Sequence, residues 1–260
     1  SQFLPGTYSA YHLHAKVFSY WSPVKTNYRY HSLGYNSLMY STSPQYSETE
    51  IVLNIQRYLI RSIEKRCYCT ERPMACLLSG GLDSSIVTGL VWQYHVSHNL
   101  PPLETYSIGL ENSEDLRHAR MVADHLKTKH TEIVLKENDF LEAIPEVIRA
   151  IESYDTTTVR ASIGNYLLGK YISQHSNAKV VFNGDGSDEL FGGYLYMYMA
   201  PESIEFDCEV RRLLNDIYMY DVLRSDKSIS SHGLEPRTPF LDRAFVQYYL
   251  SVPHQVRFHT

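Results

Sequence analysis

The residues with the clearest chemical potential lie in one short stretch, Ser79-Gly80-Gly81-Leu82-Asp83-Ser84-Ser85. Gly80 and Gly81 would let the backbone approach an anion closely, and the serine hydroxyls could donate hydrogen bonds to it. The Asp83 carboxylate would repel an anion unless a divalent cation lay between them. The stretch therefore predicts a site that binds a phosphate group together with a cation.

A predicted strand precedes this stretch, and a predicted helix follows it. Met74–Leu78 is an apolar run with the length of a buried strand, and Ile86–Trp92 is typical of the start of a helix. A strand, a glycine turn and a helix together aim unpaired N–H groups and the helix dipole at an anion. The stretch lacks the lysine of a Walker P-loop, and it resembles the PP-loop of ATP pyrophosphatases, which hold pyrophosphate and release AMP. The alternative is an ordinary glycine-rich turn with a capping serine.

A second candidate loop, Asn183–Tyr194, follows another predicted strand. Its carboxylates Asp185, Asp188 and Glu189 would repel one another unless a cation or a substrate ammonium group offset their charge. The spacing does not fit an EF-hand, whose distal Glu is also missing. Asp83 and Asp188 together predict a Mg²⁺ site for the phosphates of ATP.

Two further polar stretches could contact a substrate. Tyr154–Ser162 carries three consecutive threonines and Arg160, which suits phosphate or carboxylate binding, although a threonine helix cap with a solvated arginine is an equal alternative. Gly233–Asp242 contains two prolines that fix the backbone around Arg237. With Lys227 nearby, this rigid loop suits a substrate site. The alternative, a solvated charged loop, is disfavoured by the apolar residues that flank it.

The pattern around these stretches alternates strands with helices. The predicted strands cover residues 74–78, 103–110, 131–135 and 178–182. The predicted helices cover about 47–66, 86–97, 113–127, 138–152, 164–174, 210–223 and 245–250. This alternation predicts an α/β fold with a parallel sheet and helices on both faces. Ligands of such sheets bind at the carboxyl ends of the strands, where both candidate loops lie.

The first part of the chain, residues 1–46, is predicted to be remnant strands and a linker that precede a domain over 47–260. Residues 15–21 alternate enough for one strand, and residues 35–45 are the predicted linker. This segment alone is too short to bury a core of its own.

Composition excludes several classes of protein. The formal net charge of −5 argues against a basic nucleic-acid surface, and so against PP-loop enzymes that modify tRNA. The four cysteines form neither a zinc pattern nor a disulfide framework. Because no apolar run reaches the length of a membrane span and no signal peptide is recognisable, no membrane contact is predicted and the cytoplasm is the expected location.

Four motifs in order resemble the synthetase domain of glutamine-dependent asparagine synthetase. They are Ser79–Ser85, Thr157–Ser162, Asn183–Tyr194 and Glu235–Asp242. Tyr106–Glu111 adds to the resemblance, which runs from about Glu48 to Pro253. Gln2–Gly6 is similar to the last strands of that family's glutaminase domain.

The resemblance implies a carbon–nitrogen ligase. ATP and aspartate would form β-aspartyl-AMP and pyrophosphate, and ammonia would then attack the activated carbonyl to give asparagine and AMP. Mg²⁺ would neutralise the departing pyrophosphate. The implied partners are aspartate, ATP, ammonia or glutamine, and a glutaminase domain or subunit, and a homodimer is compatible with the resemblance.

The resemblance also assigns residues to roles. The implied contacts of ATP and pyrophosphate are Leu77, Ser79, Gly80, Gly81, Asp83, Ser84, Ser85, Ile108, Asn183 and Gly184. The implied metal ligands are Asp83 and Asp188, and the implied substrate contacts are Thr157, Thr158 and Arg160. The implied catalytic residues are Asp185, Glu189, Lys227 and Arg237.

The chain departs from the family pattern at several positions. Asp185 stands where the family usually has Glu, at a position associated with ammonia attack, and its reach is one methylene shorter. Asn183 replaces the common Ser. The family's catalytic Lys downstream of Asp242 has no counterpart, and residue 1 is Ser rather than the nucleophilic Cys of a glutaminase. We therefore expect a chain that is incomplete at both ends and takes ammonia from a missing domain or from solution.

Two other functions stay open. A β-lactam synthetase-like ligase would share the fold and the first loop but use the substrate's own amine as nucleophile. The stretches Thr157–Ser162 and Glu235–Asp242 favour asparagine synthetase over this cyclising ligase. A non-catalytic nucleotide-binding or partner-binding remnant would fit the missing ends and Asp185.

Overall fold

The structure, a computed structural model, describes residues 3–15, 18–30 and 47–259 of the chain. The chain divides into two compact units, Ser1–Tyr40 and Ser41–Thr260. The sequence predicts a division between residues 46 and 47, and the predicted linker over residues 35–45 lies outside the described residues.

The first unit contains an antiparallel hairpin of β1 (Thr7–Ala15) and β2 (Ser19–Arg29). The prediction of one strand over residues 15–21 is wrong, because the chain reverses there and Ala15 pairs with Ser19. Residues 16 and 17 themselves lie outside the described part of the chain. The alternating pattern continues on both sides of the reversal, so it did not reveal the turn.

The second unit is built on a parallel sheet with the strand order β5-β4-β3-β6-β7. Its strands are β3 (Met74–Leu77), β4 (Glu104–Leu110), β5 (Lys129–Leu135), β6 (Val180–Phe182) and β7 (Glu235–Arg237). Its helices are α1 (Glu48–Tyr68), α2 (Leu82–Ser97), α3 (Glu114–Leu126), α4 (Glu137–Ile151), α5 (Thr156–His175), α6 (Ser187–Phe191), α7 (Ser203–Asp216), α8 (Asp221–Ser230), α9 (Arg243–Ser251) and α10 (His254–Arg257). Within the described ranges, no helix has both the length and the apolar character needed to cross a bilayer.

Helices cover both faces of this sheet, which confirms the predicted fold class. Ala75 and Leu77 of β3 share a buried cluster with Leu168 and Ile172 of α5. Leu78, the next residue along, packs against α3 instead. Successive residues of an extended chain point to opposite faces, so α5 and α3 lie on opposite sides of the sheet. Both central strands, β3 and β6, are wholly buried, as two covered faces require.

The order in which the chain adds strands to this parallel sheet reverses at the sheet's centre. From β3 the chain runs outward to β4 and β5, and it then crosses back to β6 on the other side of β3. A ligand crevice forms at such a reversal, outside the carboxyl ends of the strands. The loops after β3 and β6 carry the two glycine-rich motifs and flank this crevice.

The stretch Tyr154–Ser162, predicted as a loop, mostly belongs to α5, which begins at Thr156. Asp155 caps this helix, because its carboxylate accepts from the backbone N–H and the hydroxyl of Thr158, each at 2.7 Å. The structure therefore shows a helix start here, as the helix-cap alternative expects, but the capping residue is Asp155 and not a threonine. The cap and the burial of Val159 outweigh the low helix propensity of the threonines.

Two other predicted elements differ near the end of the chain. The predicted helix over residues 210–223 is divided by a 3-10 turn, Ile217–Met219, into α7 and α8. The neighbouring stretch around Lys227, predicted as a loop, lies in α8. Residues 235–237, predicted as a rigid loop, form the edge strand β7, a position that tolerates Pro236.

Candidate active site

The loop after β3 is closed by its own hydroxyl groups. The hydroxyls of Ser79 and Ser84 lie 3.0 Å apart. The hydroxyl of Ser85 donates to the Gly81 carbonyl at 2.7 Å. Helix α2 begins at Leu82, and Gly81 before it has no side chain with which to cap the first N–H groups. These N–H groups and the positive end of the helix dipole face the end of the loop and are available to an anion.

Gly80 makes the turn of this loop. Its φ is +82°, and a Cβ at this position would lie 2.5 Å from the backbone carbon of His118 on α3. A side chain would therefore meet both an unfavourable backbone conformation and the backbone of a neighbouring helix. Glycine is required here so that α3 can pack against the loop.

The loop after β6 touches the first loop. A Cβ on Gly184 would lie 3.1 Å from the Cβ of Asp83 and 3.1 Å from the backbone nitrogen of Ser84. Gly184 thus permits close contact between two segments that are far apart in the sequence. Because α6 begins directly after this loop, Asp188 and Glu189 face the same crevice.

A cavity of about 350 Å³ lies between the two loops. Its lining includes these residues predicted from the sequence: Leu77, Ser79, Gly81, Asp83, Ser84, Ile108, Asn183, Gly184, Asp185, Asp188 and Glu189. Gly80 and Ser85 belong to the first loop and shape it through the backbone turn and the hydroxyl bond described above. The structure therefore brings the predicted nucleotide and metal residues to one place.

Carboxylates of the second loop and of α8 lie around Arg224. Arg224 donates to Asp221 at 2.6 Å and lies 3.4 Å from Asp185. Burial raises the pKa of Asp185, and the charge of Arg224 opposes that shift. Burial and the charges of Asp83 and Asp221 raise the pKa of Asp188. The cavity thus carries more negative than positive charge, a condition that a bound cation would relieve.

Glu189 is a strongly perturbed carboxyl group in this cavity. Its side chain is buried, and burial followed by its contact with Asp221 raises the pKa of Glu189 to about 8. The Tyr194 hydroxyl donates to its Oε1, whereas its Oε2 is buried with no hydrogen-bond partner among the described residues. Burial opposes ionisation of Asp221 as well, but contacts with Glu189 and Arg224 lower the pKa of Asp221 overall. When this pair binds a proton, Glu189 is therefore favoured over Asp221 as its site.

Two carboxylates of the cavity fit Mg²⁺ that is bound together with nucleotide phosphates. In the part of the chain that the structure describes, no three His, Cys, Asp or Glu side chains are arranged to hold a metal by themselves. Asp83 and Asp188 line the same cavity, and the charge of Asp83 raises the pKa of Asp188. Mg²⁺ is commonly bound by one or two carboxylates together with substrate phosphates. The residues present therefore fit this ion in that setting.

Two residues that the resemblance marks as catalytic lie outside this cavity. Lys227 forms an ion pair with the exposed Glu152. Arg237 donates to the backbone carbonyls of Arg66 and Cys69 at the end of α1. The guanidinium of Arg237 thus joins α1 to the edge of the sheet, and this placement does not support a contact with substrate.

The threonine stretch lines a neighbouring cavity of about 330 Å³ instead. Thr157 and Thr158 contribute to its wall, whereas Arg160 is exposed on α5. This cavity adjoins the first one, and the residues that the two share are Glu189, Asp221 and Arg224. The threonines are therefore near the acidic side of the site and away from the loop after β3.

Asp221 and Arg224 are site residues that the motifs did not reveal. They lie on the first turns of α8, three residues apart, which places both on one face of the helix. The available signal was this spacing of opposite charges. This spacing becomes informative only when Asp221 is recognised as the start of a new helix and not as part of the end of the preceding one.

Comparison with known proteins agrees with this geometry. The chain matches the family model for asparagine synthase over residues 54–209 and 201–260. It is 46% identical over 211 residues to the glutamine-hydrolysing asparagine synthetase of Homo sapiens, and 44% identical over 215 residues to that of Gallus gallus. These alignments cover 81% and 82% of this chain but only 38% of each relative, so the chain spans well under half the length of these relatives.

Among solved structures, an NH3-dependent NAD synthetase from Campylobacter jejuni aligns with 55% of this chain and 60% of its own. The sequence identity is 20% and the TM-score is 0.36. A similarity this low carries no argument about function.

Proposed function

The chain belongs to the asparagine synthase family, and from this premise we propose that it catalyses the ATP-dependent formation of asparagine from aspartate. ATP and aspartate form β-aspartyl-AMP and pyrophosphate, and ammonia then displaces AMP from the activated carbonyl. A carboxylate is a poor electrophile, and adenylation supplies it with a leaving group. The observation that carries the proposal is the single cavity in which the loop after β3 meets the carboxylates after β6.

The loop after β3 is suited to hold the phosphates and the departing pyrophosphate. Its hydroxyls and the N–H groups of α2 are fixed in place before any reaction. Donors that are already oriented stabilise charge as it develops on a leaving group. The proposed nucleotide contacts are Leu77, Ser79, Gly80, Gly81, Asp83, Ser84, Ser85, Ile108, and the backbone at Asn183 and Gly184.

Asp83 and Asp188 are the proposed ligands of Mg²⁺. When bound, this ion supplies positive charge that neutralises phosphate oxygens. The two carboxylates come from different loops and line the same cavity, so they would hold the cation where the phosphate side meets the acidic side. This position also explains how a carboxylate can stand inside a phosphate-binding loop without repelling its ligand.

The acidic side of the cavity is suited to the amino-acid substrate. Aspartate carries an ammonium group, which the carboxylate of Asp221 would attract, and two carboxylates, one of which Arg224 could bind. Thr157 and Thr158, at the start of α5, line the adjoining cavity and are proposed to contact the same substrate. Asp185 is proposed to lie beside the path of the attacking ammonia.

The source of ammonia lies outside the second unit. The relatives named above are called glutamine-hydrolysing, and the alignments with this chain cover 38% of their length. We therefore propose that ammonia comes from a glutaminase domain or subunit beyond this chain, or from solution. The hairpin of β1 and β2 would then be the end of such a domain.

Pyrophosphate release tests the proposal. The chain is incubated with ATP, Mg²⁺, ammonium and aspartate, and pyrophosphate and asparagine are both quantified. We expect equal amounts of the two products, and neither when aspartate is omitted. Glutamate, one methylene longer, serves as the matched control and should support little release, because a fitted polar site rejects a misplaced carboxylate. A chain that folds and binds ATP but releases no aspartate-dependent pyrophosphate would contradict the proposal.

A further inference from the structure

Asn183 is buried between the second loop and α8. It is 4% exposed, and its Nδ2 donates to Oδ2 of Asp185 and to the hydroxyl of Ser225, each at 2.7 Å. An ionised carboxylate only accepts hydrogen bonds, so the amide nitrogen of Asn183 must face it. Both N–H bonds of the amide are therefore in use, one toward Asp185 and one toward α8.

The Asp185 carboxylate is supported on both of its oxygens. Its Oδ2 accepts from Asn183, and its Oδ1 lies 3.4 Å from the guanidinium of Arg224. Arg224 is the residue directly before Ser225 on α8. The same helix turn thus holds Asp185 through Arg224 and through Ser225, which contacts Asp185 itself as well as Asn183. The direction of the carboxylate is set by Asn183 and α8 together.

The sizes of the side chains at positions 183 and 185 are matched. A Ser at position 183 has a single O–H donor on a shorter side chain, so it could not reach both Asp185 and Ser225. A Glu at position 185 would carry its carboxylate one methylene past the amide that now holds it. The longer residue at 183 and the shorter residue at 185 therefore compensate each other.

We propose that Asn183 is a positioning residue that aims the Asp185 carboxylate at the incoming nucleophile, so that the residue required at 185 depends on the residue at 183. The inference rests on the proposed function, in which ammonia attacks beside Asp185. Adenylation depends instead on the hydroxyls and N–H groups of the other loop. The positioning therefore acts on the ammonia step.

A double-mutant cycle tests this dependence. Asn183→Ser, Asp185→Glu and the double variant are compared with the unmodified full chain for kcat/KM of ammonia in asparagine formation. Each single substitution should lower it about tenfold to 100-fold, since a displacement of about 1 Å at a reacting group has effects of this size. The double variant should recover to within about threefold of the unmodified chain, because the two side chains again match. Effects that simply multiply would overturn the proposal.

Adenylation is followed separately, as the aspartate-dependent exchange of labelled pyrophosphate into ATP. We expect the same exchange rate in all four proteins. Loss of exchange in the variants alone would show a general defect of the site and would overturn the positioning role. Absence of exchange in the unmodified chain would overturn the proposed function instead. The contact between Asn183 and Asp185 is then tested by the denaturant midpoints of the four proteins. There a non-additive shift supports the coupling of Asn183 with Asp185, and an additive shift overturns it.

A second pair of variants examines the support from α8. Ser225→Ala removes the acceptor of one Asn183 N–H bond, whereas Ser230→Ala changes an exposed serine on the same helix. We expect Ser225→Ala to lower kcat/KM for ammonia about threefold, the effect of one lost hydrogen bond, with exchange unchanged. Ser230→Ala should change neither. Equal behaviour of the two variants would show that α8 does not position Asp185 through Asn183.

Discussion

The two loops that meet at the carboxyl edge of the sheet hold charge in opposite ways. The loop after β3 is largely open to solvent and offers hydroxyls, glycines and the N-terminus of α2, with Asp83 as its carboxylate. The loop after β6 is largely buried, and its three carboxylates lie around Arg224 and Asp221. One loop is a donor array for an anion, and the other is an acidic cluster for a cation.

This difference predicts that the two loops respond differently to pH. A donor array of N–H and O–H groups does not change protonation near neutral pH, so its effect on a ligand is nearly independent of pH. Buried carboxylates exchange protons as their surroundings change, and they destabilise the fold when they lose a neighbouring cation. We therefore expect the polar groups of the first loop to act on adenylation nearly independently of pH, and the carboxylates of the second loop to set the pH dependence of stability in addition to their role in the ammonia step.

The largest effect on the acidic side should follow from Arg224→Gln. This substitution removes the cation between Asp185 and Asp221, and breaking such a buried pair costs about 3 kcal/mol of unfolding free energy. Chemical denaturation at pH 7.5 measures it. The loss should shrink as the pH is lowered below 7.5, because burial raises the pKa of Asp185 and protonation removes the charge that Arg224 no longer offsets.

The matched control is Arg117→Gln, at a mostly exposed ion pair with Glu114 on α3. Exposed pairs contribute less than about 1 kcal/mol. Similar losses in the two variants would mean that Arg224 does not stabilise the acidic cluster.

Asp83→Asn should have the largest effect on the phosphate side. The substitution removes a proposed Mg²⁺ ligand, and a loss of several kcal/mol of charge stabilisation corresponds to a decrease in pyrophosphate release of about 100-fold or more. Thermal unfolding should be unchanged, because Asp83 is partly exposed at the cavity. Asp226→Asn, at an exposed carboxylate of α8, is the control. Unchanged turnover in Asp83→Asn would refute the metal assignment.

Gly80→Ala tests the geometry of the first loop. A Cβ at this position would clash with the backbone of α3, and the residue would have to adopt a φ of +82°. We therefore expect a loss of about 2 kcal/mol of unfolding free energy and weaker ATP binding. Gly89→Ala is the matched control, because Gly89 lies inside α2 and a Cβ there meets no atom within 4 Å. Gly89→Ala should stabilise the protein by up to about 1 kcal/mol. The same sign of effect in both variants would be inconsistent with the turn described here.

Glu189→Gln should produce the smallest change, a flatter dependence of stability on pH. Burial, and to a smaller extent Asp221, raise the pKa of Glu189 to about 8. Between the ordinary pKa of a glutamate and this value, the folded protein therefore binds more protons than the unfolded chain. Stability should therefore fall as pH rises from 6 to 8, by at most about 1.4 kcal/mol per pH unit. Glu189→Gln removes this slope.

The control for that slope is Glu114→Gln. A hydrogen bond from Arg117 lowers the pKa of Glu114, so this carboxylate stays ionised from pH 6 to 8 and its replacement should leave the slope unchanged. A slope that persists in Glu189→Gln would assign the titration to another group.

Much of the fold could be predicted from local patterns. The apolar run before Ser79 and the apolar run before Asn183 became the central strands β3 and β6, because strands covered on both faces need continuous apolar residues. The patterns failed where local preference and packing disagree. The threonines at the start of α5 are weak helix formers, yet the Asp155 cap and the buried face of the helix decide the structure there.

The candidate site divides in the same way. The loop after β3 is a contiguous motif, and its residues line the cavity as expected. Asp221 and Arg224 belong to no contiguous motif, and they reach the cavity only because α8 packs beside α5 and the end of β6. Arg237 is the opposite case, a motif residue that does not reach the cavity. Its motif suggests a substrate contact, whereas its position in the edge strand β7 directs its guanidinium to backbone carbonyls at the end of α1.

The sequence by itself determined the class of fold, the phosphate-binding character of Ser79–Ser85 and the excess of acid after β6, because these properties depend on residue type and short-range spacing. The tertiary structure decided which charges meet. The reversal of strand order at the adjacent strands β3 and β6 sets Gly184 against Asp83, and the packing of α8 brings Arg224 to Asp185. Contacts between residues far apart in the sequence follow from how elements pack, and no local pattern contains that information.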